Sequence, residues 1–156
     1  MQIKKTRRLA VLAAAAMCTA GVAFAGPPVY VTFKNLGAQT VAYEIVTNNE
    51  ASTYANSTPS PRATVGAQET NVYKVQSRIS ADAHAAIVRY TTGRKTCVFN
   101  TTFLNLISGS FLLRGNSAKV PRWNKSASSG GGAICTATIT SQNFADYSWA
   151  VEFTMR

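Results

Sequence analysis

Acidic side chains are scarce in this chain: six Asp and Glu stand against sixteen Lys and Arg, and the one histidine is His84. That shortage removes most catalytic constellations. A glycosidase needs two carboxylates facing each other across a cleft. A hydrolytic triad needs a histidine between nucleophile and carboxylate, whereas Ser80-Ala81-Asp82-Ala83-His84 puts the aspartate in the middle. No Gly-x-Ser-x-Gly elbow, phosphate loop or dinucleotide fingerprint occurs. Cysteine is equally sparse, with Cys18, Cys97 and Cys135 and no Cys-x-x-Cys, so neither a metal site nor a cofactor is implied. Internal repeats are absent, and beyond the first 25 residues there is no apolar run long enough to span a membrane as a helix.

The amino terminus has the layout of a secretory leader. Lys4, Lys5, Arg7 and Arg8 precede the Ala-rich apolar run Leu9 to Val22, and Ala23-Phe24-Ala25 supplies the small residues a signal peptidase requires. The reading is a leader over 1–25 and one domain over 26–156, exported to the periplasm or beyond the cell. Removing the four basic leader residues leaves 12 Lys and Arg against 6 acids, a net charge of +6 rather than +10. Removing Cys18 leaves Cys97 and Cys135, which in an oxidising compartment are expected to pair. The loop so closed, 39 residues counting both cysteines, corresponds to about 4 kcal/mol of stabilisation in the chain-entropy account.

What the mature chain has in quantity is period-two alternation. Val29, Val31 and Phe33 alternate with Tyr30, Thr32 and Lys34; Val41, Tyr43 and Ile45 with Ala42 and Glu44; Tyr73, Val75, Ser77 and Ile79 with Lys74, Gln76 and Arg78. Cys97, Phe99, Thr101 and Phe103 form a further set, as do Cys135, Ala137 and Ile139, and finally Tyr147, Trp149, Val151, Phe153 and Met155. Half-buried strands require this pattern. Leu36-Gly37-Ala38 predicts a hairpin between the first two strands, and Gly93-Arg94-Lys95 and Ser108-Gly109-Ser110 mark further turns. Thr47 to Gln68 reads as a surface crossing, and Ser80 to Ala86 as either a short helix capped by Ser80 or a loop. The fold class is all-β: an antiparallel β-sandwich of about eight strands with a single disulfide.

The opening VYVTFKNLGAQTVAYEI resembles the start of aegerolysin-type, actinoporin-type and thaumatin-like β-sandwich proteins. That resemblance covers Val29 to Ile45 and implies a strand–turn–strand opening; it implies no family and no site residues. Pilin subunits of chaperone-assembled fibres share the size and single disulfide, but they place their first cysteine near the mature amino terminus rather than at a position like Cys97.

Charge is distributed unevenly. Between Asp82 and Asp146 there is no acid, while Arg89, Arg94, Lys95, Arg114, Lys119, Arg122 and Lys125 give a local +7; residues 26–82 are neutral. The stretch KVPRWNKSASSGGG reads as a flexible loop, with Trp123 flanked by Arg122 and Lys125 and preceded by Pro121. Cations around an indole suit an anionic lipid interface, and also stacking on a sugar or a base; an indole folded back to plug one end of the sandwich is the alternative. The candidate binding set is Arg94, Lys95, Arg114, Lys119, Arg122, Trp123 and Lys125, and the expected partner is anionic lipid, lipopolysaccharide or another envelope polymer, as for a toxin-like secreted factor. Nucleic acid stays open as a partner. A second reading is a periplasmic inhibitor or immunity-type module whose cations cover an acidic protein partner. A third is a hydrolase using the outward carboxylates Glu44 and Glu152. Neither oligomeric state nor ligand is legible.

Overall fold

The computed structural model describes residues 25–107 and 119–156. Residues 1–24 of the expected leader, the expected turn at Ser108-Gly109-Ser110 and Arg114 lie outside the described residues. The strands are β1 (Val29–Asn35), β2 (Val41–Glu44), β3 (Ser57–Thr58), β4 (Thr64–Val65), β5 (Thr70–Val75), β6 (Ala83–Thr92), β7 (Lys95–Ile107), β8 (Lys119–Gly130), β9 (Cys135–Gln142) and β10 (Trp149–Met155), with one helix, α1 (Asn48–Ala55). They form two five-stranded sheets, ordered β3-β5-β1-β10-β9 and β4-β2-β6-β7-β8. The all-β sandwich is as the alternation requires, with eight strands of four residues or more. All pairings are antiparallel except β1 with β10, which run parallel.

The inward parity is consumed by the core. Val29, Val31, Phe33, Tyr73, Val75, Val88, Tyr90, Phe99, Phe103, Trp149, Val151, Phe153 and Met155 are all buried. Aromatic rings bridge the layers: Phe33 of the first sheet stacks on Tyr90 of the second at 3.5 Å between centroids, and Phe99 of the second on Phe153 of the first at 4.7 Å. Thr101, although polar, is fully buried because its hydroxyl accepts from Trp149 Nε1 (2.8 Å) and donates to the Asn124 carbonyl (3.0 Å), joining three strands. Cys97 of β7 is bonded to Cys135 of β9, so the disulfide ties one sheet to the other.

Several local readings are corrected. The turn at Leu36-Gly37-Ala38 does not make a hairpin: β1 and β2 belong to different sheets, so the chain crosses between layers there. Thr47 to Gln68 is no bare crossing, since it holds α1, β3 and β4. The Ser80–Ala86 ambiguity resolves as a bend running into β6, with the Ser80 hydroxyl accepting from the Asp82 amide (3.1 Å). Alternation also overran three strands: β2 ends before Ile45 and β5 before Ile79, both with exposed side chains, and β10 starts only at Trp149, after Tyr147, whose φ is +61°. The largest correction is KVPRWNKSASSGGG. Lys119 to Gly130 is not a loop but the twelve-residue strand β8, in register with all of β7 except Lys95, from Thr96 to Ile107. Pro121 is tolerated because β8 is an edge strand, where a missing N–H faces solvent rather than a neighbour. The chain leaves β8 at Gly131, whose φ is +61°; a Cβ there would lie 1.7 Å from the Arg94 carbonyl oxygen, so only glycine fits.

The registers define two ends. One, here the amino-terminal end, gathers the entry to β1 at Gly26–Pro28, the 76–82 segment, the 143–148 turn, and the last and first residues of β7 and β8. The other, the disulfide end, gathers the Gly93-Arg94 turn, 131–134 and Arg156. Replacing Cys97 and Cys135 together by alanine is expected to lower the unfolding free energy by about 4 kcal/mol, read as a fall in urea midpoint at unchanged slope; a midpoint within error of wild type contradicts the staple's role.

Candidate functional site

The candidate cations do not share a face. Arg122 stands opposite Leu104 in the β7–β8 register and Lys125 opposite the buried Thr101. Directly opposed residues point to the same side of a sheet, so Arg122 projects from the outer face of the second sheet and Lys125 from the inner side of β8, beyond the cover of the first sheet. Arg94 and Lys95 sit at the disulfide end, separated from Lys119 by the length of β7, about 40 Å at the usual rise per residue. Lys119 pairs with Asp82, which Asn105 also contacts; the Lys119 bond above all holds the Asp82 carboxyl below its usual range. Arg114 lies outside the described residues.

Trp123 is turned inward. Its ring packs on Phe103 (5.5 Å) and edge-on to Phe144 (5.1 Å), and its Nε1–H donates to the Tyr147 carbonyl at 3.2 Å. The indole therefore closes one part of the sandwich, and Phe144, 67% exposed, is the aromatic that meets solvent there.

The residues suggestive of catalysis are dispersed as well. Glu44 and Glu152 lie on the outer faces of different sheets, Glu44 bonded to the Thr91 hydroxyl and Glu152 paired with Lys34, so no cleft joins them. His84 is buried against Trp149, its Nε2 accepting from the Ser77 amide (3.3 Å) and its Nδ1 donating to the Pro27 carbonyl (2.9 Å). This arrangement needs the neutral ring, and burial pushes the His84 pKa below its usual value, with the Pro27 bond opposing the shift. The same socket binds the segment that enters β1: Gly26 donates to the Ser77 carbonyl (2.8 Å), and a Cβ on it would meet the Ser80 oxygen at 2.6 Å. Among the described residues no three His, Cys, Asp or Glu side chains converge as metal ligands would.

What the residue pattern did not flag is a groove of about 370 Å³ between α1 and the outer face of β6 and β7, overhung by the 76–80 segment. Its wall depends on Glu50. The Thr47 side chain accepts from the Glu50 amide (3.3 Å), while Glu50 Oε2 accepts from Thr47 N (2.8 Å) and Val46 N (2.7 Å), a capping box that starts α1. Glu50 Oε1 then accepts from Arg89 Nε at 3.0 Å. Burial alone would raise this carboxyl; the two backbone amides and Arg89 outweigh it and hold it lower than usual. Thr53 completes the attachment, its hydroxyl accepting from Ile87 N (2.9 Å) where β6 has run past the end of β2. The groove is lined by Val75, Ile79, Ala83, Ala85, Ile87 and Leu104, with Asn49, Ser52, Asn56 and Thr102 among its polar groups; its one titratable residue is the buried, neutral His84, and it holds no acid, lysine or arginine.

Six exposed aliphatic and aromatic side chains lie at the amino-terminal end, Ile79 (87% exposed), Leu104, Leu106, Ile107, Val120 and Phe144, while others, among them Val46, Val72 and Ile134, lie elsewhere. The capping box Thr47-x-x-Glu50 was a visible signal for α1; nothing local announced the gathering of apolar groups, because it follows from which loops share an end.

No family model matches the chain, and no curated protein is similar enough in sequence to count as a relative.

Two outcomes are expected in solution. Because His84 titrates lower when folded than unfolded, its contribution is fully present above about pH 6.5 and is lost as pH falls through the depressed folded value. The urea midpoint should therefore decline on acidification below pH 6.5, before the carboxylates titrate near pH 4, and a flat midpoint from pH 7 to 5 refutes the neutral-ring assignment. Trp123→Ala is expected to cost about 2–3 kcal/mol in stability; a change under about 0.5 kcal/mol, the size of a surface substitution, would mean that the indole is not a plug.

Proposed function

We propose that the protein is an exported binding module that docks on an anionic lipid surface with the amino-terminal end of its sandwich. The observation that carries this reading is the interleaving of apolar and cationic groups at that end. Ile79 adjoins Arg78, and Leu104, Leu106 and Val120 surround Arg122 on the outer face of β7 and β8. Phe144 packs edge-on to Trp123, two residues before Lys125 on β8. Among the described residues, Arg78, Arg122 and Lys125 make no ion pair, while the acids at this end are Asp82, already paired with Lys119, and Asp146.

Exposed apolar patches rimmed by polar groups mark interaction sites. Shallow apolar insertion combined with cations facing anionic headgroups is the general mode of interfacial binding, each Lys or Arg near the surface adding about 1 kcal/mol. Relative to the sequence reading, the anchor moves from Trp123, which serves the interior, to Ile79 and Phe144, and Arg94 and Lys95 drop out because they lie at the far end.

Co-sedimentation with vesicles tests this. Wild type is expected to bind vesicles rich in phosphatidylglycerol at low salt, to bind phosphatidylcholine vesicles weakly, and to lose affinity as salt rises. Ile79→Asp with Phe144→Asp should abolish binding, Arg122→Glu should weaken it by about thirtyfold (two charge units), and Arg94→Glu with Lys95→Glu should leave it unchanged. Equal effects from both ends, or no binding by wild type, sink the reading.

A further inference from the structure

We infer that the groove between α1 and the outer face of β6 and β7 is a binding site for the alkyl chain of an anionic single-chain amphiphile. This rests on the lipid-docking reading and specifies what enters the protein there. Two residues belong to both features: Ile79 and Leu104 line the groove and are also among the exposed apolar groups of the amino-terminal end. The groove thus opens on the surface proposed to meet lipid, and its volume of about 370 Å³ falls at the lower end of the roughly 300–1,000 Å³ range of small-molecule sites.

Its lining selects the occupant. Ala83, Ala85 and Ile87 present aliphatic surface, and the one ring in the lining, His84, is buried edge-on to Trp149, so a sugar or a base finds no exposed stacking platform, whereas an alkyl chain needs none. No charged residue lies inside, so a charged head cannot be accommodated there without losing its hydration. The cations stand outside: Arg122 is directly across the β7–β8 ladder from Leu104, and Arg78 adjoins Ile79, both without an acidic partner among the described residues. Chain inside and anionic head at the mouth is the one orientation that satisfies both regions. The wall is rigid enough to hold a shape, because α1 is fixed by the Glu50–Arg89 pair and by the Thr53–Ile87 bond rather than by an apolar stripe of its own.

Titration calorimetry with dodecanoate below its micelle-forming concentration tests the site on the whole chain, with dodecyl maltoside as the uncharged-head control. Wild type should bind one dodecanoate per chain and bind the maltoside more weakly. Ala85→Trp, which fills the groove from an exposed position on the outer face, should weaken dodecanoate by about tenfold or more, while its circular dichroism and urea midpoint stay near wild type. Arg122→Glu should weaken dodecanoate by about fivefold and leave the maltoside unchanged. Dodecanoate binding that Ala85→Trp does not reduce overturns the site, as does absence of dodecanoate binding by wild type. If vesicles bind but dodecanoate does not, the groove proposal fails and the docking reading stands; if dodecanoate binds but vesicles do not, the docking reading fails and the groove remains.

Discussion

The structure depends on the pairing of inward side chains across the two sheets. Phe33 against Tyr90 and Phe99 against Phe153 are cross-layer stacks, and the rows on either side of them are valines, a tryptophan and a methionine with almost no exposed surface. Buried apolar area is the dominant favourable term in folding, and here nearly all of it comes from one parity of each strand. Everything else in the molecule is what this arrangement leaves over: two outer faces, two ends and two long edges. The disulfide sits at one end and fixes it; the other end carries apolar side chains that the core has no room for.

The edges explain why the cations are where they are. Two of the four edge strands, β3 and β4, are two residues long and offer almost no ladder to a stranger. β8 is long, and it carries Lys119, Pro121, Arg122 and Lys125, residues that discourage another strand from pairing. β9 has no charge between Cys135 and Gln142, but its ladder to β10 is broken by a bulge at Ala150/Val151. Part of the basicity that looks functional in sequence therefore protects an exposed edge, and the lipid-binding account needs only those cations that share an end with Ile79 and Phe144.

Legibility followed locality. Strand parity was readable because it is written every second residue, and so was the pairing of Cys97 with Cys135; that the bond joins the two sheets rather than neighbouring strands follows only from the topology. β8 was not, since Pro121 and the Ser126-to-Gly132 composition are loop-like on their own and become a strand only because β7 offers a complete partner ladder. Had the strand been assigned, Arg122 and Lys125, three residues apart, would have been seen to face opposite ways. Helix α1 lacks an apolar stripe and is held by the buried Glu50 and Thr53, so its single sequence trace was the Thr47–Glu50 box. The groove and the apolar end were beyond reach for a different reason: they are made by residues from distant segments, Ile79, Leu104, Val120 and Phe144, that only the topology brings to one end.

Amide hydrogen exchange of the wild-type chain, with and without anionic vesicles, measures most directly which end faces lipid. The account predicts added protection in 76–82 and 143–148 and none at the Gly93-Arg94 turn or in 131–134. Protection confined to the disulfide end, or spread evenly over both, would contradict it.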